Sequence, residues 1–135
     1  DMSRPALEWG VANHRRNQHD LRSVTMLPHN LFKSWWKLRK LGPFDCIVID
    51  PPTRQPGSFV AEKDYGQVMK RVTELLAPGG IALVCLNSPF AGFDFIEHHM
   101  AAKAGALRFE EWLQPAAEFE ESNSQAGLKV GVYRR

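Results

Sequence analysis

Cysteine is scarce in this chain, charge is nearly balanced, and no long apolar run is present; each shortage closes off a class of protein. The two cysteines, Cys46 and Cys85, sit in separate apolar runs without Cys-x-x-Cys spacing. That argues against a disulfide-stapled scaffold and against a cysteine zinc site, and it fits a reducing, cytoplasmic location. The five histidines have no ligand spacing either, so no metal is expected. No apolar stretch approaches the roughly 18 residues of a spanning helix, and no basic-then-apolar leader is present, so neither a membrane segment nor a signal peptide is read. Repeats and low-complexity tracts are missing as well. With 17 Lys and Arg against 15 Asp and Glu, the net charge of +2 is too mild to point to nucleic acid by itself.

What remains is the composition of a folded domain: 135 residues, 44% hydrophobic and 24% charged. Seven cations, Arg15, Arg16, Arg22, Lys33, Lys37, Arg39 and Lys40, crowd into the first third. They form either an RNA-facing patch or a solvated helical face. The chain starts at Asp1 without an initiator Met, so a piece of a longer product is expected.

The stretch Phe44-Asp45-Cys46-Ile47-Val48-Ile49-Asp50-Pro51-Pro52-Thr53 organises the rest. A short β-branched run after Gly42-Pro43 reads as a strand buried on both faces of a parallel sheet. It ends in a carboxylate, and two prolines without N–H groups force a rigid, extended exit. In open α/β sheets ligands bind at that carboxyl edge.

Around it, Ser3 with Pro5 opens a helix to about Asn17, Ser23 to Leu27 reads as a short strand ended by Pro28, and Asn30 opens a second helix ended by Gly42-Pro43. Thr53 to Ser58 reads as a loop, and Glu62 to Ala77 as an amphipathic helix stopped by Pro78-Gly79-Gly80. Ile81 to Leu86 is a strand, Phe93 to Ala104 a helix, and Leu107 to Leu113 with Leu128 to Tyr133 a final strand pair. This alternation is that of a doubly wound α/β sheet entered after its beginning.

The sequence resembles the class I S-adenosylmethionine-dependent methyltransferases, and within them the large-subunit ribosomal RNA methyltransferases of the RlmK and RlmI type. The resemblance rests on Phe44-Asp45 through Asp50-Pro51-Pro52-Thr53, Asp64-Tyr65, Leu75-Leu76-Ala77-Pro78-Gly79-Gly80 and Gly127-Leu128-Lys129-Val130. It implies a Rossmann-like α/β sheet, mostly parallel with an antiparallel terminal strand. Residues 1–135 would be the carboxyl-terminal portion of one catalytic domain, without the first strand and its glycine-rich loop. The isolated piece is therefore expected to bind S-adenosylmethionine weakly.

By the same resemblance, Asp1 matches the acid that holds the cofactor ribose. Asn30 matches an aspartate that accepts the adenine amino group, and Leu31, with Phe32, lines the adenine. Asp50 and the carbonyls of Pro51 and Pro52 face the sulfonium and the target base, with Asp64 and Tyr65 on the substrate side. Each has a plainer reading: Asn30 as a helix N-cap, Leu31 as core, Thr53 as either base-orienting or loop-capping, Asp1 as a solvated terminal acid. His29 near the site carries less weight, and His98-His99 reads as helix surface.

Asn87 sorts the chemistry. Relatives that methylate carbon 5 of cytosine carry a nucleophilic cysteine there, whereas Asn resembles the enzymes that methylate a guanine ring nitrogen without a covalent intermediate. Cys85, two residues earlier, reads as core. The (Asp/Asn)-Pro-Pro-aromatic motif of adenine amino methyltransferases is half met, because Thr53 replaces the stacking aromatic. The implied partners are S-adenosylmethionine and ribosomal RNA, with an oligomer left open. Two other readings stand beside this one: a methyltransferase for a small molecule or protein, and a degenerate fold kept as a binding module.

Overall fold

The computed structural model describes residues 2–116, 118–119 and 123–135. They divide into two compact units, Asp1–Lys37 and Leu38–Arg135. In the first, helix α1 (Arg4–Arg16) starts where the Ser3 hydroxyl accepts the Ala6 N–H at 3.3 Å, with Pro5 in the first turn, where its missing donor costs nothing. His14, Arg15 and Arg16 fill the last turn, favoured by the negative end of the helix dipole.

Two expectations for this unit are corrected. Residues 23–27 are not a strand: Leu21–Ser23 is a 3-10 turn capped by Asp20, and the residues after it run without a ladder partner among the described residues. Local propensity can make a backbone extended, but a ladder needs a neighbour. The helix expected from Asn30 breaks in two, a 3-10 turn at Leu31–Lys33 and helix α2 (Trp35–Leu41). The break follows from side chains competing for backbone groups: the Asn30 amide oxygen accepts the Phe32 N–H at 2.9 Å, and the Ser34 hydroxyl donates to the Asn30 carbonyl at 2.8 Å.

The second unit carries strand β1 (Phe44–Ile49), a two-residue hairpin β2 (Arg54–Gln55) and β3 (Phe59–Val60), helix α3 (Ala61–Leu75), strand β4 (Leu76–Asn87), helix α4 (Phe93–Lys103), and strands β5 (Arg108–Leu113) and β6 (Leu128–Arg134). The sheet order is β1-β4-β6-β5, with β1 parallel to β4 and β6 antiparallel to both β4 and β5. Three strands thus run one way and β6 the other, the mostly parallel sheet that was expected. The loop read over residues 53–58 contains β2, since a two-residue pairing leaves almost no apolar pattern to read.

The core lies between sheet and helices. Tyr65, Val68, Met69, Val72 and Leu75 of α3, Ile96 and Met100 of α4, and Ala82, Val84 and Leu86 of β4 are all buried. Each such side chain contributes about 1.5–3 kcal/mol of apolar burial where it is large. β1 departs from its reading. Only Ile49 is buried, Cys46 is exposed and Val48 is 62% exposed. The reason is position, because β1 is the sheet's edge among the described residues and pairs with β4 alone.

The Pro78-Gly79-Gly80 stop is built into β4. Gly79 has φ +78°, a conformation that costs other residues steric strain. Gly80 is required by crowding: a Cβ there would stand 2.9 Å from the Ala77 carbonyl and 3.1 Å from those of Phe44 and Asp45. The C-terminus clamps this turn, with the Gly79 N–H donating to the Arg135 carbonyl and the Arg135 N–H to the Gly80 carbonyl, both at 3.0 Å.

Candidate active site

Because β1 and β4 are parallel and Ile49 stands opposite Val84, their carboxyl ends open on the same edge. Asp50 follows β1 directly and is exposed, and Asn87, the last residue of β4, is exposed too. Thr53, two residues past the Pro51-Pro52 exit, donates its hydroxyl to the Asn87 carbonyl in a short hydrogen bond. Four of the sequence-predicted residues, Asp50, Pro51, Pro52 and Thr53, are thereby tied to the fifth, Asn87. The bond occupies the Asn87 backbone and leaves its side-chain amide to donate and accept.

Asp50 makes no ion pair among the described residues. Its charge reaches inward: burial pushes the Cys85 thiol up, and the Asp50 carboxylate adds to that shift. Tyr65 is 0% exposed and its hydroxyl donates to the Cys85 carbonyl at 2.8 Å. Burial raises its pKa, with Cys85, Tyr133 and Asp50 adding to the effect. So Tyr65 braces the strand behind the edge from inside the core. Asp64 is turned to its own helix, accepting the Val60 N–H at 2.8 Å as a cap for α3.

The remaining predicted residues belong to the first unit. Asn30 is half-buried and caps its 3-10 turn; its carbonyl oxygen, already bonded to Phe32, retains a second lone pair. Leu31 is exposed rather than core. Asp1 lies outside the described residues. An open groove of about 530 Å³ within this unit, lined in part by Arg4, Glu8 and Met26, contains none of the predicted site residues. Of the early cations, Arg22 pairs with Asp20 at 3.0 Å, Lys37 meets the His29 ring and lies over the Trp36 ring, and Arg39 reaches Glu74 at 3.8 Å. His99 is half-buried rather than on the surface: it meets the Phe95 ring edge-to-face with centroids 4.5 Å apart, and burial lowers its pKa.

Two residues had no part assigned to them from the sequence, although Lys129 stands in one of its motifs. Lys129 of β6 is 0% exposed, and its ammonium donates to the Ser88 carbonyl at 2.7 Å and the Gly127 carbonyl at 2.8 Å. A lysine inside a β-branched strand was the available signal, and only the register, Lys129 opposite Leu86, shows why it is buried. The second is Phe90, just past the end of β4 and almost wholly in solvent.

The edge therefore offers an exposed carboxylate without an ion-pair partner among the described residues, rigid proline exits and an exposed side-chain amide.

A family model described as S-adenosylmethionine-dependent methyltransferase matches residues 1–134. The ribosomal RNA large subunit methyltransferase K/L of Methylococcus capsulatus is 30% identical over 94 residues, and that of Aeromonas hydrophila 33% over 92. Each match takes in 64% of this chain, which spans 13% of the length of either relative. The solved structure of SMU.776 in complex with S-adenosylhomocysteine superposes with a TM-score of 0.86 at 20% identity, over all of this chain and 38% of that one.

Proposed function

The chain belongs to the S-adenosylmethionine-dependent methyltransferase family, and on that premise we propose that it forms the substrate-facing part of an enzyme that methylates a base of large-subunit ribosomal RNA, at a ring nitrogen of guanine. The cofactor, when bound, supplies the methyl group and the driving force for its transfer. What is asked of the protein is alignment and charge. Asp50 holds a negative charge at the carboxyl edge with no ion-pair partner among the described residues, favouring a cationic donor beside it. Pro51 and Pro52 fix the backbone on which that carboxylate sits, and Thr53 fastens the exit to Asn87. The Asn87 amide then meets the base edge as both donor and acceptor, and a ring nitrogen brings its own lone pair. Asn30 and Leu31 fit the adenine and Asp1 the ribose, as the family resemblance implies. Asp64 and Tyr65 support the substrate side by shaping α3 and bracing β4. The relatives' descriptions as ribosomal RNA large subunit methyltransferases support the RNA substrate.

One observation carries the proposal most directly: Asp50, exposed and without an ion-pair partner among the described residues, on the same edge as Asn87. The test is methyl transfer by the full-length enzyme, with labelled cofactor and an unmodified large-subunit ribosomal RNA transcript, the product located by mass spectrometry. Asp50→Asn is expected to lower turnover by about 30- to 1,000-fold, roughly 2–4 kcal/mol, with folding intact. Near wild-type turnover in that variant would make Asp50 structural. Label on protein or small molecules, with none on RNA, would overturn the substrate.

A further inference from the structure

The rim of the same edge holds a group without a duty so far. Phe90 is 96% exposed, although a buried ring of that size would gain about 1.5–3 kcal/mol. It is not a loose side chain on a loose loop. Its N–H donates to the Ser88 hydroxyl at 3.2 Å, Ser88 is itself buried, and the Ser88 carbonyl is held by the Lys129 ammonium at 2.7 Å. One residue earlier, the Asn87 carbonyl takes the Thr53 hydroxyl. The residues leading from β4 to Phe90 are thus anchored on both sides, from β6 through Lys129 and from the β1 exit through Thr53. A bare aromatic ring at the end of such a fixture is preorganised for contact.

The position names the partner. In this site an Asp-Pro-Pro exit is followed by Thr53, which has no face on which a planar base could stack. Phe90 stands three residues after Asn87, on the exit of the neighbouring parallel strand. We propose that Phe90 is the site's stacking platform, a substrate-binding residue that packs its ring on a nucleobase of the RNA, with Lys129 as the positioning residue that holds its turn. Stacking on an aromatic ring is available to every base and indifferent to its hydrogen-bonding edge. Phe90 therefore contributes affinity and orientation, and Asn87 keeps the choice of base. The proposal rests on the RNA reading of the site given above.

The experiment is steady-state methyl transfer by the full-length enzyme to an unmodified large-subunit ribosomal RNA transcript at saturating cofactor, for wild type, Phe90→Ala, Phe90→Leu and Phe90→Tyr, with cofactor affinity measured separately by calorimetry. At 96% exposure the ring holds no core together, so the variants keep the fold. The expected result is a fall in kcat/KM for RNA of about 5- to 150-fold in Phe90→Ala, as large in Phe90→Leu, carried mainly by KM, with recovery in Phe90→Tyr and unchanged cofactor affinity. Phe90→Ala within about twofold of wild type overturns the platform while leaving RNA as substrate. So does full activity of Phe90→Leu, which needs apolar area but no π-face. A wild-type enzyme that transfers nothing to RNA removes the underlying reading, and the platform with it.

Discussion

Cys46 and Cys85 carry the same thiol into opposite settings. Cys46 is exposed on the edge strand, whereas Cys85 is buried, with its pKa raised by burial and then by Asp50. Since the thiolate is the reactive form, Cys85 is a poor nucleophile near neutral pH. With iodoacetamide, the 135-residue chain should label one thiol fast, lost in Cys46→Ser, and the other only on unfolding; rapid labelling of Cys85 would put it at the surface. The same reasoning reaches the chemistry. Asn87 cannot attack a pyrimidine ring, so RNA containing 5-fluorocytidine should yield no denaturant-stable adduct with the full-length enzyme and cofactor. An adduct that vanishes in Cys85→Ser would place this protein with the carbon-5 cytosine enzymes.

At the scale of elements, the site depends on how closely β1 and β4 approach. Gly80→Ala pushes a methyl group against three backbone carbonyls that cannot swing aside, and should destabilise the fold by about 1–3 kcal/mol in urea unfolding. An unchanged midpoint would show that the strands have slack. Tyr65→Phe removes one buried hydrogen bond and leaves the Cys85 carbonyl without it, about 1–3 kcal/mol. This contrast also marks what could be read from sequence. The α3 stripe, the β4 run and the Asp50 exit were legible because period, turn residues and termini are local. Tyr65 appeared as part of a motif, yet its target is a carbonyl twenty residues on, which no local pattern encodes. The burial of Lys129 escaped for a related reason: it follows from the antiparallel register of β6 on β4. The exposure of Val48 shows the limit from the other side, since a β-branched run announces a strand but not how many neighbours it has.

For the molecule as a whole, both tyrosines lie in the core. Burial, with Glu97 adding, pushes Tyr133 up to about 12, and Tyr65 is raised as well. Only the unfolded chain releases these protons near the ordinary value of 10.0. The contribution of these two groups to stability is therefore fully present below about pH 10 and is lost as pH rises through about 12. Phenolate absorbance should appear together with the loss of far-ultraviolet circular dichroism; absorbance that precedes that loss would mean an accessible ring. The outer rim of β1 bears on how far this sheet can extend. Among the described residues β1 is paired on one side only and shows Val48 to water, so its other row of N–H and C=O groups is open to a further strand. A strand laid there within a longer polypeptide would continue the sheet and take Val48 out of solvent.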